Sequence, residues 1–357
     1  MNFHGGYHGE ATLIDFSVNI PPASYDETFK DLLRDHIADL IKYPELSGEA
    51  TKAKMAGVLG FEVTQLILGN GATELIYLYA RTVSIQKALI LEPTFTEYRR
   101  ALMTHGIPVL SFPLDFTAPE KLDVKSLSNY ILEKDIDLLV LCNPNNPTGH
   151  LYEPEEIEAL IKAVNRADFK LFIDESFIDF VDEAYQTRNA LKMKALLETY
   201  PLFLLRSMTK TYAVPGLRIG YGIGHKTVIS ALYRYKEPWS LNTFALISIP
   251  YFLEQSGQKK AVAEWCQAEN YFVAEKLAEY EHLGYIKLFR GCANYHLIEV
   301  KTIDGEIFFN GMIEKGFFLR TCNDFEGLNK NHFRISLRTR SENMHMLEAM
   351  KQILEGK

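Results

Sequence analysis

Cysteine is scarce in this sequence. The four present, Cys142, Cys266, Cys292 and Cys322, lie far apart and form no C-x-x-C pair. Neither a disulfide framework nor a zinc module of the usual spacing is expected, and reduced thiols in a cytoplasmic protein are. Long apolar runs are missing too: none approaches the ~20 residues of a membrane span. Met1 to Glu10 carries Gly and His where a secretory leader needs a basic and then an apolar stretch. Positive charge is in deficit, with a formal net charge of −8. That argues against a nucleic-acid partner, whose usual footprint is a basic patch. An anionic small molecule stays open, because a few buried arginines can set the local field. No internal repeat or low-complexity tract is seen. His4 and His8 would suit a metal if they lay on a helix, but Gly5, Gly6 and Gly9 disfavour one, and no metal is expected.

What is present is a chain of 357 residues, too long for one ordinary core, so a large and a smaller domain are expected. Between about residues 60 and 225, short apolar runs alternate with helical patterns. The runs include Leu66–Leu68, Ala88–Leu91, Leu138–Leu141, Leu171–Ile173 and Phe203–Leu205. Their brevity and apolar character suit strands buried on both faces, which predicts an α/β fold with a mainly parallel sheet. From about Thr243 the pattern changes to a long helix over 259–283, strand-like pieces at 295–300 and 333–337, and a last helix from Glu342. This reads as a smaller α+β domain. The first twenty or so residues look like an extended arm.

Five motifs carry possible chemistry. Lys210 lies in Ser207-Met-Thr-Lys-Thr, with Arg218 eight residues on before a Gly-rich strand. A lysine used as a nucleophile must be desolvated or close to positive charge, and an arginine fork suits a phosphate. Asp174 ends an apolar strand, where open α/β sheets bind ligands. Asn143-Pro-Asn-Asn146-Pro-Thr-Gly follows another strand, and could be only a turn. Gly69-Asn-Gly71-Ala72-Thr73-Glu74 stands at a strand-to-helix junction; its amides could cradle phosphate, but it lacks the G-K-[ST] ending of a nucleotide-binding loop. Pro93-Thr-Phe95-Thr-Glu-Tyr98 offers an aromatic ring after a strand, although such a ring is more often core.

Each motif alone is weak or moderate; their order and spacing are strong. The set G-N-G-x-x-E, P-x-F-x-E-Y, N-P-N-N-P-T-G, D-E-x-F-I-D-F and S-x-T-K-x-x-A-x-P-G-L-R-x-G-Y resembles the fold-type-I family of pyridoxal-phosphate enzymes along essentially the whole chain. Within it the sequence is similar to histidinol-phosphate aminotransferases. It is more closely similar to the threonine-phosphate decarboxylases of cobalamin synthesis. Features of the second branch are His4-Gly5-Gly6, Tyr43-Pro44, Pro238-Trp239-Ser240-Leu241-Asn242, Leu319-Arg320-Thr-Cys-Asn-Asp-Phe-Glu326 and Phe333-Arg334-Ile335-Ser336. Phe177 stands where aminotransferase relatives usually have a tyrosine. The arm departs from the usual pattern, with H-G-G-Y for H-G-G-N and N-I-P-P for N-I-N-P.

The resemblance implies a fold of three parts: residues 1–42 as the arm and part of the small domain, 43–242 as the large cofactor-binding domain, 243–357 as the small domain. It implies that Lys210 binds pyridoxal 5'-phosphate as a Schiff base, that Asp174 pairs with the pyridine nitrogen and that Asn146 binds the phenolic oxygen. Gly71, Ala72, Thr73, Ser207, Thr209 and Arg218 would hold the cofactor phosphate. Phe95 would stack on the ring, with Tyr98 as second choice. Tyr43 would reach the other subunit's site in a homodimer. Arg320 and Arg334, helped by His4 and Asn19, would hold the anionic groups of a small phosphorylated amino-acid substrate. The implied reaction is decarboxylation of L-threonine O-3-phosphate; the alternative is transamination of histidinol phosphate with 2-oxoglutarate. Non-catalytic regulators of this fold form another class. They would be marked by loss of Lys210 or Asp174, or by an added DNA-binding segment, and none of these signs is expected here.

Overall fold

Continuously apolar runs of three or four residues cannot stand with either face in water, and the chain buries them in one sheet. The computed structural model describes residues 5–7, 9, 12–114, 121–255 and 257–356. In chain order the strands are β1 Ile14–Asp15, β2 Leu66–Asn70, β3 Ala88–Glu92, β4 Val109–Pro113, β5 Leu138–Cys142, β6 Lys170–Asp174, β7 Leu202–Ser207, β8 Ile219–Gly224, β9 Ile286–Phe289, β10 Tyr295–Val300, β11 Phe317–Phe318, β12 Arg320–Thr321 and β13 His332–Ser336. The large sheet has the order β2-β8-β7-β6-β5-β3-β4. All neighbours in it are parallel except β8, which runs against both β7 and β2. This is the mainly parallel sheet expected from the apolar runs, with helices packed against it.

That single reversal positions the site. Because β8 is antiparallel, its first residue Ile219 pairs with Asn70, the last residue of β2. The residue before β8, Arg218, therefore meets the start of the helix that follows β2. The carboxyl ends of β3, β5, β6 and β7 lie along the same edge, where ligands bind in open α/β sheets.

The smaller unit holds an antiparallel sheet, β12-β13-β10-β9, with the long helix Gln258–His282 and the last helix Arg340–Leu354 packed together in one core cluster. The arm enters this unit through β1, which pairs parallel with β11, and through Phe16, fully buried there. Side-chain packing crosses both expected boundaries. The helix Glu27–Asp35 puts Phe29 into the large core, against Tyr251 and Phe252 of the helix Thr243–Glu254. That second helix also packs as part of the large core, through Ala245 and Ile249. The apolar face of the first helix thus packs on the largely apolar second helix, across the boundaries expected at 42 and 243. All four cysteines are free thiols. Among the described residues no helix is long and apolar enough to cross a membrane.

Candidate active site

The first element is an anion cradle. The helix Gly71–Thr82 starts directly after β2, so the amides of its first turn point out of the sheet edge. Two glycines let the parts close up. A Cβ on Gly71, whose φ is +74°, would stand 2.4 Å from the Arg218 guanidinium, and one on Gly220 would stand 2.3 Å from the amide of Ala72. Arg218 sits in the left-handed region (φ 56°) and its guanidinium makes no hydrogen bond or ion pair among the described residues. The carboxylate in the same helical turn, Glu74, is neutralised by the buried Lys236 at 2.7 Å. Ala72, Thr73, Thr209 and Arg218 line one cavity of about 410 Å³. Ser207 is behind them, its Oγ 2.7 Å from Thr209 Oγ1.

At the base of that cavity are Lys210, on the short helix Met208–Thr211 after β7, and Asp174, the last residue of β6. Burial pushes the Lys210 amine below its ordinary pKa. Asp174 and Cys142 work against that, and the positive Arg218 and Arg334 add to it. Asp174 is nearly buried and held on both oxygens: the Tyr98 hydroxyl donates to Oδ2 at 2.7 Å and the Ser176 amide to Oδ1 at 2.8 Å. A carboxylate accepts about four hydrogen bonds, so capacity remains for one more donor. Tyr98 is thus the support of Asp174, and stands edge-on to Phe95 at 5.5 Å. Phe95 lines the cavity.

The three asparagines of the Pro-rich turn divide their work. Asn143 bonds Tyr152 and the Tyr185 hydroxyl, and Asn145 bonds Thr94, Pro93 and Thr148. Both brace the loop. Asn146 alone of the three lines the cavity, and its Oδ1 accepts from Arg334 at 2.5 Å.

Arg320 and Arg334 close the far side. Arg334 also donates to the carbonyl of Ser17 at 2.7 Å, its Nε is buried without a partner, and burial pushes its pKa down to about 10. Arg320 lies on the Phe325 ring and is paired with Asp324 at 2.6 Å. Asn19 lines the cavity and accepts from the Ser336 hydroxyl at 2.7 Å. His4 lies outside the described residues. Tyr43 is apart from this cavity, 83 % exposed and packed against Trp239 at 5.1 Å. Phe177 lines the cavity with the Lys210 Nζ 5.0 Å from its ring centre, so no hydroxyl is offered at that point. The 319–326 motif contains Asp324 and Phe325 but assigns a role to neither, and no role is assigned to Ser17.

These groups fit pyridoxal phosphate. A cradle with an unpaired arginine suits its phosphate, a desolvated amine suits its aldehyde, a braced carboxylate suits its pyridine nitrogen, and an aromatic face suits its ring.

Residues 12–350 match the family model "Aminotransferase class I and II". The threonine-phosphate decarboxylase of Salmonella typhimurium is 30% identical, over 99% of this chain and 97% of its own. The adenosylcobalamin biosynthesis bifunctional protein CobDQ of Leptospira interrogans is 31% identical over 96% of this chain, which spans 39% of that longer protein. Among solved structures, the histidinol-phosphate aminotransferase from Clostridium acetobutylicum superposes with a TM-score of 0.85 at 28% identity, covering 97% of this chain and 100% of that one.

Proposed function

The chain belongs to the class I and II aminotransferase family, and from that premise we propose that it decarboxylates L-threonine O-3-phosphate to 1-aminopropan-2-ol O-phosphate and carbon dioxide. Pyridoxal 5'-phosphate is its cofactor, and once bound supplies an electron sink next to the substrate Cα. Ala72, Thr73, Ser207, Thr209 and Arg218 hold the phosphate, Asp174 meets the pyridine nitrogen, Asn146 the phenolic oxygen, and Phe95 the ring face. Arg320 and Arg334 grip the anionic ends of the substrate, with Asn19 and the arm beside them. Their task is orientation: they decide whether the carboxylate or the α-proton faces the sink, and remote binding energy from the substrate phosphate helps hold that pose. Lys210 would be the covalent anchor, and in its ammonium form would supply the proton that replaces the departing carbon dioxide at Cα.

The observation that carries this reading is the pairing of two arginines at the substrate end with Phe177 at the cofactor end, in a chain similar along its length to a threonine-phosphate decarboxylase. Histidinol-phosphate transamination is the second reading, favoured by the likeness to the Clostridium enzyme; it uses the same cofactor residues. Incubation with L-threonine O-3-phosphate is expected to release one carbon dioxide per substrate consumed, and histidinol phosphate with 2-oxoglutarate to give no glutamate. Glutamate without carbon dioxide would replace the first reading by the second.

The active unit is a homodimer in this reading. Ile37, Leu40, Ile41, Tyr43, Leu46 and Trp239 are all about half exposed or more, and Trp239 joins this face through its bond to the Leu46 carbonyl. Monomers rarely leave so much apolar surface together. Sedimentation velocity should therefore find two chains per particle, and Ile41→Asp should shift the particle toward one chain with a loss of activity. A wild-type monomer at full activity rejects the shared site.

A further inference from the structure

Three guanidinium groups line the cavity, and they differ in one respect. Neither Arg218 nor Arg334 has a carboxylate partner among the described residues. Arg320 has one: Asp324 Oδ2 at 2.6 Å, from behind the cavity wall. The other oxygen of Asp324 is buried and has no hydrogen-bond partner. A carboxylate oxygen buried without a partner costs stability, so packing is a poor account of its presence. The loop that carries it is fixed. Phe325 lies under Arg320 at 5.2 Å, and Glu326 reaches across to the large unit, pairing with Arg99 at 2.9 Å and accepting from Ser111 at 2.6 Å. Asp324 is therefore held against one terminal nitrogen of Arg320, the other donates to the Thr321 carbonyl, and the guanidinium still lines the cavity.

We propose that Asp324 is a specificity-determining residue that keeps Arg320 charge-compensated, so that the site rejects free inorganic anions and admits an anion only as part of a larger substrate. This rests on the reading above that Arg320 takes an anionic group of the substrate. An anion arriving at Arg320 feels the guanidinium's attraction less the repulsion of the carboxylate behind it. A ligand that also meets Arg334 and the cofactor tolerates that reduction. Free phosphate has nothing else to bind with, so discrimination comes from the repulsive element. A cell's phosphate pool would otherwise compete for the same cation.

The test is calorimetric titration of the holoenzyme with inorganic phosphate, at a pH where phosphate is a dianion and with the cofactor filling its own cradle. Asp324→Asn keeps the shape and an acceptor oxygen while removing the charge. It is expected to bind phosphate about tenfold more tightly than wild type; unchanged or weaker binding overturns the proposal. Asp324→Ser should move binding in the same direction and stands in if the amide is not accommodated. Glu326→Gln removes the same charge from the same loop and is expected to change phosphate binding less than about twofold; an equal gain there would mean that net charge alone acts, and would also overturn the proposal. Arg320→Gln in the Asp324→Asn background should abolish the gain. If that double variant binds phosphate as tightly as Asp324→Asn alone, Arg320 is not the anion site, and the underlying reading fails and takes the proposal with it, whereas unchanged binding in Asp324→Asn alone sinks only the proposal.

Discussion

Lys210→Ala is expected to lose the yellow colour of the cofactor-loaded protein and at least about 10³-fold in turnover, of which proton transfer alone is worth 10²–10⁴-fold. Burial of the Lys210 amine disfavours the ammonium form, and Arg218 and Arg334 disfavour it further, so the pKa lies below that of an ordinary lysine despite Asp174. Below its pKa the amine is an ammonium and cannot attack an aldehyde; above it the amine is a nucleophile. Covalent capture of pyridoxal phosphate by the apoprotein should therefore rise with pH and level off below the range where a free lysine titrates. The cradle of Ala72, Thr73 and Arg218 is untouched in the variant, so pyridoxal phosphate should still bind, but exchange freely on gel filtration. Absorbance after desalting separates these effects from unfolding. Full activity in Lys210→Ala would remove the central assignment.

Most of the frame was legible because the strands of the large sheet are buried on both sides, and such strands must be apolar throughout. The runs read at 66–68, 88–91, 138–141, 171–173 and 203–205 are the cores of β2, β3, β5, β6 and β7. Strand β4 was not read: at the sheet edge it is only partly buried and carries Ser111 and Pro113 amid its apolar residues. The reversed direction of β8 was also hidden, since its Gly-rich sequence says nothing about orientation. Lys210, Asp174, Asn146 and Arg218 were legible because each stands at a strand end inside a local motif. The bond from Tyr98 to Asp174 joins residues 76 apart, across a sheet whose order sequence alone does not give. Tyr98 could thus be read only as a possible ring stack. Asp324 is four residues from Arg320, but outside a helix that spacing carries no geometry, and the pair appears only once the loop is folded.

Asp174→Asn carries the second large effect, a fall in turnover of about 10²–10³-fold with the cofactor still bound. Removing one member of a buried charged pair costs about 3–5 kcal/mol, and here that cost should fall on catalysis. The side chain is almost fully buried and Asn fits its volume. The amide oxygen can still accept from the Ser176 amide, now donated to Oδ1 at 2.8 Å. On the other side the amide nitrogen would face the Tyr98 hydroxyl, which can turn from donor to acceptor. What the amide cannot do is carry negative charge. Its N–H donors favour an unprotonated pyridine nitrogen, whereas the carboxylate favours a protonated one, and the protonated ring is the stronger electron sink. Affinity for pyridoxal phosphate should change little by comparison, because Lys210 and the Arg218 cradle provide most of the grip. The separation is measurable: cofactor content from absorbance after alkaline release, and kcat from carbon dioxide. A holoenzyme with full cofactor and unchanged kcat would mean that Asp174 is a strand-end carboxylate braced by Tyr98 for structural reasons alone. Loss of both together would mean that the brace, and not the charge, is what the site requires.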